Sequence, residues 1–461
     1  MSEQPHGPMI EQDADGHEAA GLSRKSLVRG GVAAMLGAAA LAGVSRRAEA
    51  APTPPDARSR TVDQDDPRVN RVIDVRAWGA VGDGTTDDTA AIQAALDAAT
   101  EGETVVFPEG RYRVTATLTH AGSLGLVGMG QGLSWIDWAG PGDCLNLTFS
   151  SQQADRDYLV LRGLTINATR DDAGTAISAE WSEPWSGNWP HAAIEDVEVT
   201  RSEQFAWQGG LYLKGAWRST VRTFSFLSSN WTGIGIELEG KCVDCNLLDV
   251  HLSNCDTPIM LGWATEGTVI INAVMVGPRH GVRNRVNPNN RKGPWFTLRD
   301  SHVNSLASAV ELSGTGDSWI CDNLFYKTPG STDDYTAIKL INCRLTSVTG
   351  NEMYNVSAEP AINVGIAVEK GPEIRIEGNT TVSMNDRGTG IRVAGAPDCR
   401  VIGNHNRNVN TGIELTAGSD GCLVSLNSYR LSVPKFAPNP TPIIDGGEDT
   451  LLANNMDRRT G

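Results

Sequence analysis

Four residues in the middle of the chain are spaced for acid–base chemistry. Successive short apolar runs line up as Ala176-Ile-Ser-Ala-Glu180, Gly210-Leu-Tyr-Leu-Lys214, Gly235-Ile-Glu-Leu-Glu239 and Pro258-Ile-Met-Leu-Gly262. Read as strands, their alternation sends Ile177, Leu211, Leu213, Ile236, Leu238, Ile259 and Leu261 to one side. The other side then carries Ser178, Tyr212, Glu237 and Met260 in one column, with Glu180, Lys214, Glu239 and Gly262 beside it. Strands stacked about 4.8 Å apart put Glu180 and Glu239 at roughly 10 Å, and Glu237 and Glu239 at roughly 7 Å along one strand. Inverting glycosidases use two carboxyls about 6.5–9.5 Å apart, with room for a water, and retaining ones about 5–5.5 Å. The column therefore admits inversion more readily than retention. Lys214 between carboxylates favours the charged form of one of them. Asp256 and Glu266, at either end of the next run, offer a second carboxylate pair. The plainer alternative is a solvated sheet face, since Glu311 and Glu414 occupy equivalent positions further along.

The same region holds eight of the twelve tryptophans: Trp181, Trp185, Trp189, Trp207, Trp217, Trp231, Trp263 and Trp295. A narrow β-solenoid interior is filled by Val, Ile and Leu, so most of these rings are expected outside it. There, aromatic faces suit sugar rings and a long groove suits a polymer. Packing of loops onto the coil would use the same residues. Arg279-His-Gly-Val-Arg-Asn-Arg285, followed by Arg291-Lys292, reads as a basic insert next to Trp295. In an acidic chain, this cluster, with His280, Arg283 and Arg285, points to an anionic ligand such as a uronate or sulfate. They would equally serve a lyase, which removes the proton α to a carboxyl neutralised by cations.

The elements that must hold these residues are visible in the back half, because it repeats. Asn323, Asn351, Asn379, Asn404, Asn427 and Asn455 each follow a short β-branched run, at steps of 28, 28, 25, 23 and 28 residues. Between them recurs small-Ile-x-Leu/Val, as in Thr389-Gly-Ile-Arg-Val-Ala-Gly395 and Thr411-Gly-Ile-Glu-Leu415. Units of this period, with alternating runs and no helix-length pattern, are coils of a parallel β-solenoid. Asparagine suits the corners through its amide and its tolerance of left-handed backbone. Stacked on the next coil's Asn, it forms a ladder. The chain has 461 residues, 50 of them Gly and 6% aromatic, which fits one large all-β body. Its net charge of −16 argues against a nucleic-acid partner. Of eight cysteines, Cys245, Cys399 and Cys422 each open a strand at one point of the coil, as small apolar fillers rather than disulfide partners.

Residues 74–97, Asp-Val-Arg-Ala-Trp-Gly-Ala-Val-Gly-Asp-Gly-Thr-Thr-Asp-Asp-Thr-Ala-Ala-Ile-Gln-Ala-Ala-Leu-Asp, read as a strand, a Gly-rich turn and a helix over about 86–99. Thr86 or Asp87 is its expected cap, and Ala91, Ile92, Ala95 and Leu96 form its apolar face. A strand pair around Pro108-Glu-Gly110 follows. This stretch resembles the N-terminal signature of the pectate-lyase-like superfamily of right-handed parallel β-helices, which includes polygalacturonase-related glycosidases and phage tailspike depolymerases. The resemblance implies an all-β right-handed parallel β-helix over residues 71–461, with the short helix capping its N-terminal end. It also implies a polysaccharide or oligosaccharide substrate. It does not carry a reaction type: the paired Asp and Gly-His-Gly of polygalacturonases, the Asp-Pro-His-Glu-like motif of alginate epimerases and the calcium carboxylates of pectate lyases are missing. The strand flanked by Asp256 and Glu266-Gly267 is loosely similar to β-helical inulin fructotransferases.

Residues 1–50 have the form of an export signal: Ser23-Arg-Lys-Ser-Leu-Val28, a small apolar run over 30–44, and Ala48-Glu-Ala50. They resemble a twin-arginine signal, with Lys25 in the second basic position. The apolar run, about 15 residues, is short for a membrane anchor. Residues 51–70, with Pro52, Pro54, Pro55 and the acidic 63–66 run, read as a linker. The expectation is a secreted or periplasmic polysaccharide hydrolase that needs no cofactor, calcium entering only with lyase chemistry. Elimination on a uronate polymer, fructotransferase-like transfer and a non-catalytic glycan-binding solenoid are the alternatives. A homotrimer is the assembly in view.

Overall fold

Small-Ile-x-Leu runs become the rungs of one thirteen-stranded parallel sheet. The computed structural model describes residues 72–100, 102–150, 156–182, 189–202, 205–229, 231–286, 293–355, 363–383, 388–430 and 441–458. Six successive rungs concern the site: β1 (Ala173–Trp181), β2 (Trp207–Lys214), β3 (Ile234–Glu239), β4 (Thr257–Leu261), β5 (His280–Asn284) and β6 (Ser308–Ser313). Ile177, Leu211, Ile236, Ile259, Val282 and Val310 stack in register and are buried. The small residue before each is also turned inward, and the reason is steric. A Cβ on Gly210 would stand 2.5 Å from the Gly235 carbonyl oxygen, and one on Gly281 would stand 2.2 Å from that of Ala309. The motif records a close approach of neighbouring backbones.

The other strands pair in parallel as a second sheet of 27 strands. Its interior column runs Ile320, Val348, Ile376, Val401 and Val424, all buried. A parallel solenoid of this kind, a right-handed parallel β-helix, takes one strand of each layer from every coil. The asparagine ladder is present at the corner within this second sheet. Asn323, Asn351, Asn379, Asn404 and Asn427 each donate Nδ2–H to Oδ1 of the next, at 2.9–3.0 Å. Each of those oxygens also takes the preceding asparagine's backbone N–H. The left-handed backbone, however, belongs to the residue before each Asn. Asp322, Gly350, Gly378, Gly403, Leu426 and Asn454 have φ of 52–66°.

The N-terminal helix, α1 (Thr89–Ala98), begins three residues later than the sequence suggests. Its apolar face is as expected, with Ile92, Ala95 and Leu96 buried. Neither Thr86 nor Asp87 is the N-cap; Asp88 is, and its carboxylate turns away to accept from Val81 N and Gly82 N at 2.7 and 3.1 Å. The carboxylate therefore ties the Gly-rich turn to the helix start. Strands Thr104–Phe107 and Gly110–Val114 do not pair with each other. Each joins a different stack, the first against residues 72–74 and 125–128, the second against 134–138. All eight cysteines are free, and Cys245, Cys399 and Cys422 are buried where interior filling requires. The signal and linker segments lie outside the described residues. Among the described residues, no helix is long and apolar enough to cross a membrane.

Candidate active site

Register brings the predicted column together on the outer face of β1–β3. Ser178, Tyr212 and Glu237 stand side by side, and Glu180, Lys214 and Glu239 form the adjacent column. Lys214 Nζ donates to Glu180 Oε2 at 3.1 Å. Glu239 accepts from Gly240 N at 3.1 Å, and no cation among the described residues lies within ion-pair distance of it. Glu237, whose side chain is only 15% exposed, accepts from Arg285 Nε at 3.0 Å and from Nη2 at 2.6 Å. Arg285 reaches back two coils to do this. On the intervening coil stands Gly262, where a Cβ would sit 2.7 Å from Leu238 O and 3.3 Å from the Glu239 carboxyl carbon.

Tyr212 is the member of this group that composition and spacing did not single out. Burial, then the charges of Glu180, Glu239 and Glu237, push its phenol up to about 12. It is therefore a protonated hydroxyl, a donor, set among three carboxylates through the neutral range. The only hint in the sequence was its place between Ser178 and Glu237 in the outward column.

The basic run is a rung, not an insert. His280, Arg283 and Arg285 follow or lie on β5, and each cation meets a carboxylate. Arg283 lies 3.6 Å from Glu311, Arg285 2.6 Å from Glu237, and Arg279 4.0 Å from Asp333. His280 Nδ1 sits 2.8 Å from Ser308 Oγ and 3.4 Å from Glu311 Oε2. Burial, then Arg283, lowers its pKa against the opposing pull of Glu311 and Asp256. Asp256 thus borders the His280 group, with its carboxylate accepting from Thr257 Oγ1 at 2.9 Å. Glu266 is not brought to it. It is exposed beyond the far end of β4, so the two flank a strand of five residues instead of sharing a pocket. Arg291 and Lys292 lie outside the described residues, as does Trp185.

The tryptophans divide. Trp181 and Trp207 are buried and pack the coil: Trp181 stacks between Phe149 and His191, and Trp207 Nε1 donates to Thr200 O at 2.6 Å. Neither can meet a substrate. Trp217 and Trp295 are half-buried, and the Trp217 indole nitrogen is enclosed. Trp231 and Trp263 are exposed, at 54% and 39%. Trp263 directly follows Gly262 and so stands at the Glu239 end of the column. Among the described residues, no group of three or more His, Cys, Asp or Glu side chains is placed to hold a metal ion.

Comparison with known proteins agrees with this architecture. Residues 72–154 match the family described as rhamnogalacturonase A/epimerase, pectate lyase-like, and residues 248–433 match periplasmic copper-binding protein (NosD). The described residues supply no donor cluster that fits copper. A probable glucan endo-1,3-beta-glucosidase of Arthroderma benhamiae is 33% identical over 119 residues, 24% of this chain and 13% of that protein. Mannuronan C5-epimerase AlgE2 of Azotobacter vinelandii is 36% identical over 142 residues, 28% of this chain and 14% of that one. The chain thus spans about a seventh of these relatives. Among solved structures, the AlgE6 A-module of Azotobacter vinelandii superposes with a TM-score of 0.60 at 16% identity, covering 84% of this chain and 100% of the module. DFA-IIIase from Arthrobacter chlorophenolicus A6 gives 0.52 at 13% identity, covering 73% and 95%. The relatives are carbohydrate-modifying enzymes. With that pectate-lyase-like signature over residues 72–154 and these rungs throughout, the chain has the fold of the right-handed parallel β-helices.

Proposed function

We propose that the protein is an exported enzyme that hydrolyses a polysaccharide with inversion, on the outer face of β1–β5. One observation carries the reading: Glu237 and Glu239 share a strand and a face, but among the described residues only Glu237 is bonded to a cation. A carboxylate already accepting from a guanidinium is suited to activate water as general base. Glu239, beside the exposed Trp263, is suited to protonate the leaving oxygen. Their separation of roughly 7 Å along the strand leaves room for the water. Water adds to the anomeric carbon as the glycosidic C–O bond breaks. Its proton passes to Glu237, and Glu239 gives its own to the departing hydroxyl. Glu180 and Lys214 border the site on the next rungs and would orient sugar hydroxyls.

A second reading rests on Tyr212. A phenol held protonated among carboxylates and near Lys214 and Arg285 could complete proton transfer at a uronate carbon. A carboxylate would take the carbon-bound proton and Tyr212 would supply one from the other side. The mannuronan C5-epimerase relatives make this the rival to test. The protein should be incubated with a β-1,3-glucan, a polygalacturonate and an alginate in deuterated buffer. The hydrolase reading expects new reducing ends with the opposite anomeric configuration. Ultraviolet-absorbing unsaturated ends, or deuterium on carbon without chain cleavage, would transfer the site to Tyr212-centred chemistry.

A further inference from the structure

The outward columns of the candidate active site continue past β1 to the end of the sheet, and there they meet a pocket. Strands Leu118–Ala121 and Leu145–Phe149 are the first two rungs. Register places Thr119 and Asn146 in the file that runs through Ser178 and Tyr212 to Glu237. Ala121 and Thr148 head the neighbouring file of Glu180, Lys214 and Glu239. Leu118–Ala121 is the terminal strand of its sheet. Helix α1 covers that edge, with Gln93 in the role of a further rung: its Oε1 accepts from Thr119 N and its Nε2 donates to Thr119 O, both at 2.9 Å. The Leu96 carbonyl lies 3.0 Å from His120 Nδ1. Between the last turn of α1 and these two rungs lies an open pocket of about 430 Å³, bordered by Asp97, Thr119, His120, Ala121, Asn146 and Thr148. That volume is within the range of small-ligand sites.

The lining is chemically of one kind. A carboxylate, an amide, two hydroxyls and an imidazole border the pocket, and among the described residues no Lys or Arg does. Such groups exchange hydrogen bonds with hydroxyls. Asp97, Thr119, Asn146 and Thr148 are exposed to it, and Ala121 leaves room where the next rungs carry longer side chains. From the pocket to the catalytic pair, α1 and the two files contribute Asp97, Glu180, Glu237 and Glu239. Lys214 and Arg285 answer two of these acids and are bonded to them. A polymer with a carboxylate on every unit would be repelled along that length, whereas an uncharged chain would not. Four rung steps separate Thr119 from Glu237, roughly 19 Å at about 4.8 Å each.

We propose that this pocket seats the terminal sugar of an uncharged glycan, which then lies along the two files with an inner bond at Glu237 and Glu239. A linear pyranose chain advances by about one unit per rung, so the bond presented is about three to five units from the seated end. The lane stops against α1, which fixes where the chain must end. The inference rests on the hydrolase reading for its product, short oligosaccharides released from one chain end. The identity of the seated sugar rests on the pocket's own lining.

Two measurements separate these parts. In the first, the full-length protein carrying Glu237→Gln and Glu239→Gln is titrated calorimetrically with hexamers, so that nothing is turned over. The probes are β-1,3-linked glucose, β-1,4-linked glucose, β-1,4-linked mannose and α-1,4-linked galacturonate. At least one neutral hexamer should bind more tightly than the galacturonate. Adding Asn146→Trp or Thr148→Trp, each filling the pocket from an exposed position, should weaken it by roughly 5- to 50-fold, as loss of one or two hydrogen bonds would. Thermal midpoints identify a variant that fails to fold, and the other variant then carries the test. Tighter binding of galacturonate, no binding of any neutral hexamer, or affinity untouched by both substitutions would overturn the proposal. In the second, the unmutated protein acts on a long chain of the preferred linkage. Products of about three to five units should dominate from the first time points, and Asn146→Trp should broaden their lengths. Random lengths from the outset would overturn release from the chain end. Pocket-dependent binding without cleavage of any glycan would strike the hydrolase reading while supporting the seated sugar.

Discussion

Removing Arg285 while keeping Glu237 is the perturbation that tests the acid–base assignment most directly. Two guanidinium nitrogens converge on one carboxylate oxygen, at 3.0 and 2.6 Å. The Glu237 side chain is 15% exposed and the Arg285 side chain 49%. Fully exposed pairs contribute about 0.2–1 kcal/mol, whereas stripping one partner from a buried pair costs about 3–5 kcal/mol. An arginine half in water pulls the value towards the lower range, so a coupling of about 1–2 kcal/mol is expected. Four proteins measure it: the unmutated chain, Arg285→Ala, Glu237→Gln and the double variant, each by urea unfolding. In activity, Glu237→Gln and Glu239→Gln should each lower kcat by about 10²–10⁴, the usual worth of a placed acid or base. Arg285→Ala leaves the carboxylate present but unheld. About 10- to 100-fold is expected, since small misplacements of a reacting group are costly. A coupling indistinguishable from zero would show that the contact does not hold Glu237. Full activity in both glutamine variants would remove these carboxylates from the chemistry altogether.

Two predictions concern the scaffold. Asn379 is buried, donates to Val348 O and Asn404 Oδ1, and accepts from Asn351 N and Nδ2. Asn379→Ala should therefore cost about 3–5 kcal/mol by orphaning several buried groups, and Asn455→Ala, at the half-buried end of the ladder, about half as much; equal shifts in urea midpoint would refute the role of burial. His191 is fully buried, and burial lowers its pKa from the ordinary imidazole value of 6.5 to about 4, while its Nδ1 accepts from Trp217 N. The fold favours the neutral ring, so that contribution is complete above pH 6.5 and lost as pH falls towards 4, about 3 kcal/mol in all. Thermal midpoints between pH 7 and 4 should fall more steeply for the unmutated protein than for His191→Gln, and parallel slopes would refute it.

What the sequence disclosed was whatever the coil demands at every turn. The interior needs Ile, Leu or Val at fixed places, a small residue where backbones approach, and Asn at one corner, and each demand leaves a letter. Its errors came where one letter serves two situations. Tryptophan at 181 and 207 fills space beneath the sheet, while tryptophan at 231 and 263 faces water, and residue type alone does not separate them. The corner asparagine was read as the left-handed residue because Asn tolerates that backbone. In fact the residue before it takes the strain, including Leu426 at φ 56°. The run at 279–285 read as an insert because Asn284 stands where the motif has Leu. That side chain instead bonds the next rung, donating to Ser313 O at 2.9 Å and accepting from Ser313 N at 2.8 Å. A polar residue satisfied by backbone across the rung keeps the strand while hiding its pattern.

The outer columns obey no such demand, and this is why chemistry could not be read there with equal assurance. An outward residue on a solenoid needs only to tolerate its neighbours one rung above and below. What carries information is therefore the sequence of signs along a column, not any single residue. On the second sheet Arg407, Arg430 and Arg458 follow one another on successive rungs. On the first sheet most charges find an opposite on a neighbouring rung, which holds Glu237 under Arg285, while among the described residues no cation pairs with Glu239. This sheet thus presents a face on which one acid is held by a cation and its neighbour is not, suited to placing a base and an acid. The fold sets the spacing; the pattern of charge along the rungs sets what that spacing can do.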